Sequence, residues 1–258
     1  MASAPTPAAR PARRGRGWVV VIAIVALLAV GAWFAGEAIA RTVVERTIRT
    51  QVISNLALPS DQVIDVDLPG PVLPQLIGGR LGEIGVRSDD VELGAFRGDV
   101  EVAAFDVPIR GGDVRNATAL VRVDDEDLRH LMSSVEEFPV EALGIAAPDV
   151  TATVELSLFG AAVPIGVSLT PSADDGALVL TPASIQVAGA DVTADELRRQ
   201  FGILSNAVLR DWPVCIAQYL PAGMTLTDVA VDDDELVARF AIADAILRDR
   251  ALLEKGTC

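Results

Sequence analysis

The sequence predicts an α+β fold, an antiparallel β-sheet with a few helices, carried behind one long N-terminal helix. Period-two runs, apolar on one side and polar on the other, recur between residues 63 and 242 and are the signature of strands with one buried face. Capping residues followed by helical periodicity interrupt them, and an apolar run too long for a strand precedes them.

That run, WVVVIAIVALLAVGAWFA from Trp18 to Ala35, contains no charge and as a helix reaches about 27 Å, enough to cross a bilayer. Trp18 and Trp33 stand near its ends, where indoles favour the interface. Arg10, Arg13, Arg14 and Arg16 lie on its N-terminal side, so the positive-inside rule keeps the N-terminus cytoplasmic and sends the remainder out of the cytoplasm. A cleaved signal peptide is the rival reading, because Ala38-Ile39-Ala40 forms an A-x-A site before Arg41. The resulting division is a disordered cytoplasmic tail over 1–17, a membrane anchor over 18–36 (or a signal peptide to about 40) and an exported domain over 37–258.

Beyond the span, 37–56 has neither Gly nor Pro. Arg41, Glu45 and Arg49 form a charged stripe beside Val44, Ile48 and Val52, predicting a helix that continues the membrane helix outward. Strands follow at 63–68, 100–107 (with a bulge at Ala103-Ala104), 117–123, 177–180, 226–231 and 236–242. The clearest hairpin alternates Val150, Ala152, Val154, Leu156 and Leu158, then Val163, Ile165, Val167 and Leu169 after Gly160. Asp124 caps a helix EDLRHLM, and Thr193 with Glu196 forms a capping box. Further helices are expected at 203–219, bent at Trp212-Pro213, and at 243–254. VDDEDLR and VTADELR, at 123–129 and 192–198, carry a faint repeat.

Composition excludes several functions. All 36 acids and all but four of the 21 basic residues belong to the body, which therefore repels nucleic acid and anionic surfaces. The single histidine, His130, sits in a charged helix and reads as a surface residue rather than a triad member. Nucleotide-binding and nucleophile-elbow motifs are absent, and no pair of carboxylates is singled out. The clusters 124–127 and 232–235 lack calcium-loop spacing and read as a helix start and a hairpin turn. Catalytic residues, metal and cofactor are therefore all assigned as none, and the chain is read as no enzyme. Cys215 and Cys258, 43 positions apart in an exported body, read as a disulfide closing a loop worth up to roughly 4 kcal/mol.

One stretch resists this scheme. PGPVLPQLIGGRLGEIGV begins with prolines at 69, 71 and 74 and carries Gly78-Gly79, which allows about two helical turns and leaves Val72, Leu73, Leu76 and Ile77 needing cover. Aliphatic one-sided strands with only seven Phe, three Trp and one Tyr can close as a plain core or leave a trough for acyl chains.

The order of motifs adds a resemblance. PVLPQLIGGRL at 71–81, WPVCIAQYLPAG at 212–223 and GTC at 256–258 resemble the LmeA-type phospholipid-binding proteins of actinobacterial cell envelopes, with Val72 where a phenylalanine is expected. The resemblance implies a TULIP-like fold, in which a curved antiparallel sheet wraps a long helix and leaves an apolar groove. It also implies phospholipid as the ligand, in an envelope protein held by its N-terminal span. On this reading Val72, Leu73, Leu76 and Ile77 form a flap at the groove mouth and Arg80 meets a phosphate. The alternative is a buried connector in which Arg80 pairs with a carboxylate. The competing function is a ligand-free anchored scaffold for envelope enzymes; protein partners are not identified.

Overall fold

The apolar run and the amphipathic stretch beyond it form one unbroken helix, α1 (Gly15–Leu56), of 42 residues. The structure is a computed structural model and describes residues 15–93, 96–133, 143–158, 161–174, 176–187, 190–193, 196, 199 and 211–257. In α1 the side chains from Trp18 to Phe34 are exposed all round. From Ala40 onward one seam turns inward: Ala40, Val44, Ile48, Val52 and Leu56 repeat every four residues and pack on the body.

The body contains two antiparallel sheets. The first is ordered β1-β2-β3-β4-β12-β11, from β1 (Asp65–Asp67), β2 (Arg80–Leu93), β3 (Phe96–Pro108), β4 (Arg115–Val123), β11 (Met224–Asp232) and β12 (Glu235–Ile242). The second is ordered β10-β8-β7-β6-β5, from β5 (Leu143–Ala146), β6 (Asp149–Leu158), β7 (Ala161–Asp174), β8 (Ala177–Val187) and β10 (Trp212–Val214), and β9 (Ala190–Thr193) also pairs with β8. Among the described residues two short helices accompany them, α2 (Val72–Gly78) and α3 (Asp125–Met132).

The main core lies between the sheets and under α3. Ala119, Val121 and Val123 of β4 and Leu226, Leu236 and Phe240 of β11 and β12 come from one side; Val150, Leu169, Leu178 and Leu180 come from the other. Leu128, Leu131 and Met132 of α3 close one end. The inner end of α1 packs on the same first sheet, because Val100 of β3 touches both the main core and the cluster under Leu56 and Leu58. The first sheet thus carries α1 on one part of its inner face and the second sheet on another, the α+β arrangement expected.

Several expectations meet the structure residue by residue. The hairpin pairs Val150 with Leu169 and Leu158 with Ala161. The bulge falls in β3, where the register against β4 slips between Ala103 and Phe105. Asp124 caps α3, its carboxylate accepting from the Glu126 and Asp127 amides at 2.9 and 2.8 Å. Asp233, φ +54°, turns the β11–β12 hairpin, and His130 is exposed. Thr193 and Glu196 make the capping-box contacts, the Glu196 amide donating to Thr193 Oγ1 at 3.3 Å. The helix beyond them, most of the second repeat and the tail over 1–14 lie outside the described residues.

Others are corrected. The helix expected over 203–219 is, in its described part, an edge strand and a 3-10 turn. Trp212 pairs with Leu180, and Pro213 is tolerated because β10 lies at the sheet margin. The helix over 243–254 is two 3-10 turns, Asp244–Leu247 and Arg250–Leu253, since Leu252 and Glu254 direct their carbonyls sideways to the amides of Gly223 and Ala222. The strand over 63–68 shortens to Asp65–Asp67. β2 was not anticipated, because Gly82, Gly85 and four charges between 83 and 90 hide its alternation.

If Asp124 holds α3 over the core as drawn, Asp124→Ala should cost about 1 kcal/mol in equilibrium denaturation. An unchanged midpoint would show that packing alone holds the helix.

Candidate functional site

The segment from Ile64 to Leu73 contains Pro69 and Pro71 and pairs with β2 over only three residues, so its backbone needs other partners. α1 supplies them in order down its length. Arg49 donates to the Ile64 carbonyl at 2.8 Å, and Arg41 donates to the carbonyls of Leu68 and Gly70, both at 2.7 Å. The Glu37 carboxylate accepts from the amides of Val72 and Leu73, the latter at 2.9 Å, and so caps α2 from another helix. The segment therefore runs antiparallel to α1, and α2 ends beside residues 36–41.

Gln75 completes α2. Its amide nitrogen donates to the carbonyls of Pro69 and Pro71 at 3.1 and 3.0 Å, and its oxygen accepts from the Gly82 amide at 2.8 Å. Gly79, at φ +78°, ends the helix in the left-handed conformation that a Cβ disfavours. The P-x-x-P-Q and G-G elements of the motif thus serve the local backbone.

The residues singled out from the sequence gather here but do not share one environment. Val72 is fully buried among Ala40, Leu68 and Leu81, and Leu73 and Leu76 are half-buried against the same cluster. Ile77 points away and is 79% exposed. Arg80 engages the Asp106 side chain and carbonyl, and this pairing, before the smaller influence of Arg115, holds the Asp106 carboxyl below the usual carboxylate range. Arg80 thus has a carboxylate partner in Asp106.

An apolar cavity of about 180 Å³ lies elsewhere, at the opposite end of the packed part of α1. Ala40 and Leu56 are about 24 Å apart along the helix, which separates α2 from it. α1 contributes Val52 and Leu56, and the following turn contributes Leu58 and Ile64. The first sheet contributes Val86, Val91, Val100, Val102 and Val121. Leu220, Pro221 and Met224 close the last side, and the one polar side chain among the described lining residues, Ser88, is engaged with Val63 and Gln62. A second cavity of about 30 Å³ between the sheets shares Leu220 as its wall. Sequence reasoning did not select these residues, because an apolar strand face reads alike whether a side chain or a void stands opposite.

The Leu220 wall is strapped by the C-terminal segment. The Gly223 amide donates to Leu252 at 2.9 Å, Ala222 to Glu254 at 2.7 Å and Gly256 to Leu220 at 3.0 Å, and Pro221 bridges to Lys255. A Cβ on Gly223 would stand 2.8 Å from Ile246 and 3.1 Å from Leu252, which accounts for the glycine of the L-P-x-G motif. Cys215 is in the disulfide-bonded form, with no free cysteine among the described residues, and Cys258 lies outside them.

A sequence model of the LmeA-like phospholipid-binding family matches residues 31–241. The chain belongs to this family. No curated protein and no solved structure matches it. The LmeA-like region begins inside α1 and ends in β12, so it takes in the latched α2, the cavity walls on α1 and the first sheet, and the L-P-x-G turn, and the family is a lipid-binding one rather than a known family of enzymes.

Removing the carboxylate that caps α2 should release it. In Glu37→Ala, the Val72 and Leu73 amides should exchange hydrogen roughly tenfold faster while β3 and β4 keep their protection. Unchanged exchange would mean that burial of Val72 alone holds α2.

Proposed function

We propose that this chain is a membrane-anchored phospholipid-binding protein of the cell envelope, taking acyl chain into the cavity between α1, the first sheet and the Leu220–Met224 segment, without catalysing a reaction. The observation that carries this reading is the apolar void, whose one polar side chain among the described lining residues, Ser88, is already hydrogen-bonded, inside a chain of the LmeA-like phospholipid-binding family. At about 180 Å³ it is smaller than the ~300–1,000 Å³ of ordinary ligand pockets, so a lipid enters by parting the walls. Leu220 is where parting would join it to the smaller cavity between the sheets.

The N-terminal segment is proposed as a single-pass anchor, with a cytoplasmic N-terminus set by the four arginines and the body on the far side. Among the described residues one helix, α1, is long and apolar enough to cross a membrane. Cleavage after Ala40 would remove Glu37, the residue that caps α2, which argues for retention of the segment. Val72, Leu73 and Leu76 then form the membrane-proximal floor of the domain, and Arg80 orders the loop behind it through Asp106.

Filling the void tests the function. Val100→Phe and Val52→Phe, from the sheet and the helix side, should each lower co-purifying phospholipid about tenfold while moving the thermal midpoint by no more than about 4 °C, the shift that about 1 kcal/mol produces in a domain this size. Folded variants that keep their full lipid complement would exclude this cavity as the acyl site. Wild-type protein that never holds lipid would favour the scaffold reading.

A Cys215–Cys258 bridge is proposed to hold the strap against Leu220. Thiol titration of the unfolded, unreduced chain taken from its native compartment should find no free thiol; two would refute the bridge.

A further inference from the structure

Ile77 is exposed to 79%, more than any other large hydrophobic among the described residues, including those of the apolar run of α1. It does not stand alone. The Ile109 amide donates to the Gly79 carbonyl at 3.1 Å, which holds the turn between β3 and β4 against the end of α2, and Ile109 is itself 44% exposed. Arg110 follows, exposed and with no ion pair among the described residues, although the chain around it carries a net charge of −15.

The height of this patch is set by α1. The apolar run ends at Ala35, and Glu37, which caps α2, is about 3 Å further along the helix axis. Leu73 lies at the same level, 3.6 Å from where a Cβ of Gly36 would stand. Headgroups occupy about 5–8 Å on each side of the hydrocarbon, so an element at the level of Glu37 lies within the headgroup layer. The contrast with Val63, also 71% exposed, is informative: it stands at the far end of α1 beside Asp61, Asp89, Asp90 and Glu92.

We infer that the Ile77–Gly79 tip and the Ile109–Arg110 turn together form a membrane-docking face, which sets two isoleucines into the bilayer surface around the chain's own span and offers Arg110 to anionic headgroups. The inference rests on the anchored reading. Two apolar side chains beside an unpaired cation are the composition of an interfacial contact, and a strongly acidic body without such a cation would be repelled by an anionic leaflet.

The test uses the full chain in phosphatidylcholine vesicles with or without phosphatidylglycerol, with a benzoylphenylalanine replacing Ile77, Ile109, Val63 or, as a cavity reporter, Val102. On irradiation, positions 77 and 109 should cross-link phospholipid roughly tenfold more than position 63. In the 77-labelled chain, Arg110→Gln should lower the yield in vesicles containing phosphatidylglycerol and leave it unchanged in phosphatidylcholine alone. Yields at 77 and 109 equal to that at 63 in protein that floats with the vesicles after alkaline carbonate would overturn the docking face and leave the anchor standing. Protein that carbonate strips from the vesicles would overturn anchor and docking face together. Cross-linking at position 102 reports the cavity separately, so its loss counts against the acyl site and not against this surface.

Discussion

The body depends on a donation of charge from α1 to the backbone of the segment beside it. Residues 64–73 run past α1 with Pro69 and Pro71 in their path, so only a few of their amides and carbonyls find sheet partners. Arg49, Arg41 and Glu37 meet what the sheet leaves open. Hydrogen bonds to ionised side chains are stronger than neutral ones, and three at successive levels fix the register of segment against helix. Without them β1 would have no neighbour beyond β2, Val72 would lose its seat against Ala40, and the first sheet would end in an open margin. The helix is therefore a structural member of the body.

How far this was legible in the sequence varies with how local the signal is. The hairpin through Val150 and Leu169, the bulge at Ala103-Ala104 and the cap at Asp124 were readable because a handful of adjacent residues determine each. β2 was hidden because its inward residues are separated by Gly82, Gly85 and charged side chains, and only its long pairing with β3 makes it a strand. The C-terminal segment has good helical composition yet forms 3-10 turns, because its carbonyls are needed by residues 222 and 223, about thirty positions upstream. The cavity was illegible for a related reason. Val100, Val102 and Val121 look like core in any alternating strand, and whether a void faces them is decided by α1 and Leu220, which the fold brings from elsewhere.

The same distinction explains the α2 motif. Its prolines, glutamine and glycines were conspicuous and suggested a ligand site; in the structure Gln75 and Gly79 satisfy local backbone, Val72 is buried, and Arg80 holds Asp106. A motif can mark a difficult piece of chain as readily as a binding site. Here the difficult piece sits at one end of the packed helix and the void at the other, and the void is lined by inconspicuous valines.

In the anchored arrangement, the absence of a break in α1 limits the protein's range. A flexible tether would let the body explore the width of the envelope, whereas a continuous helix fastened to the body at residues 37, 41 and 49 keeps it at one height and lets it move only by tilting or diffusing in the plane of the membrane. Under the proposed function, a lipid taken up by this body would stay beside the leaflet it came from, and delivery elsewhere would require an acceptor that approaches that surface.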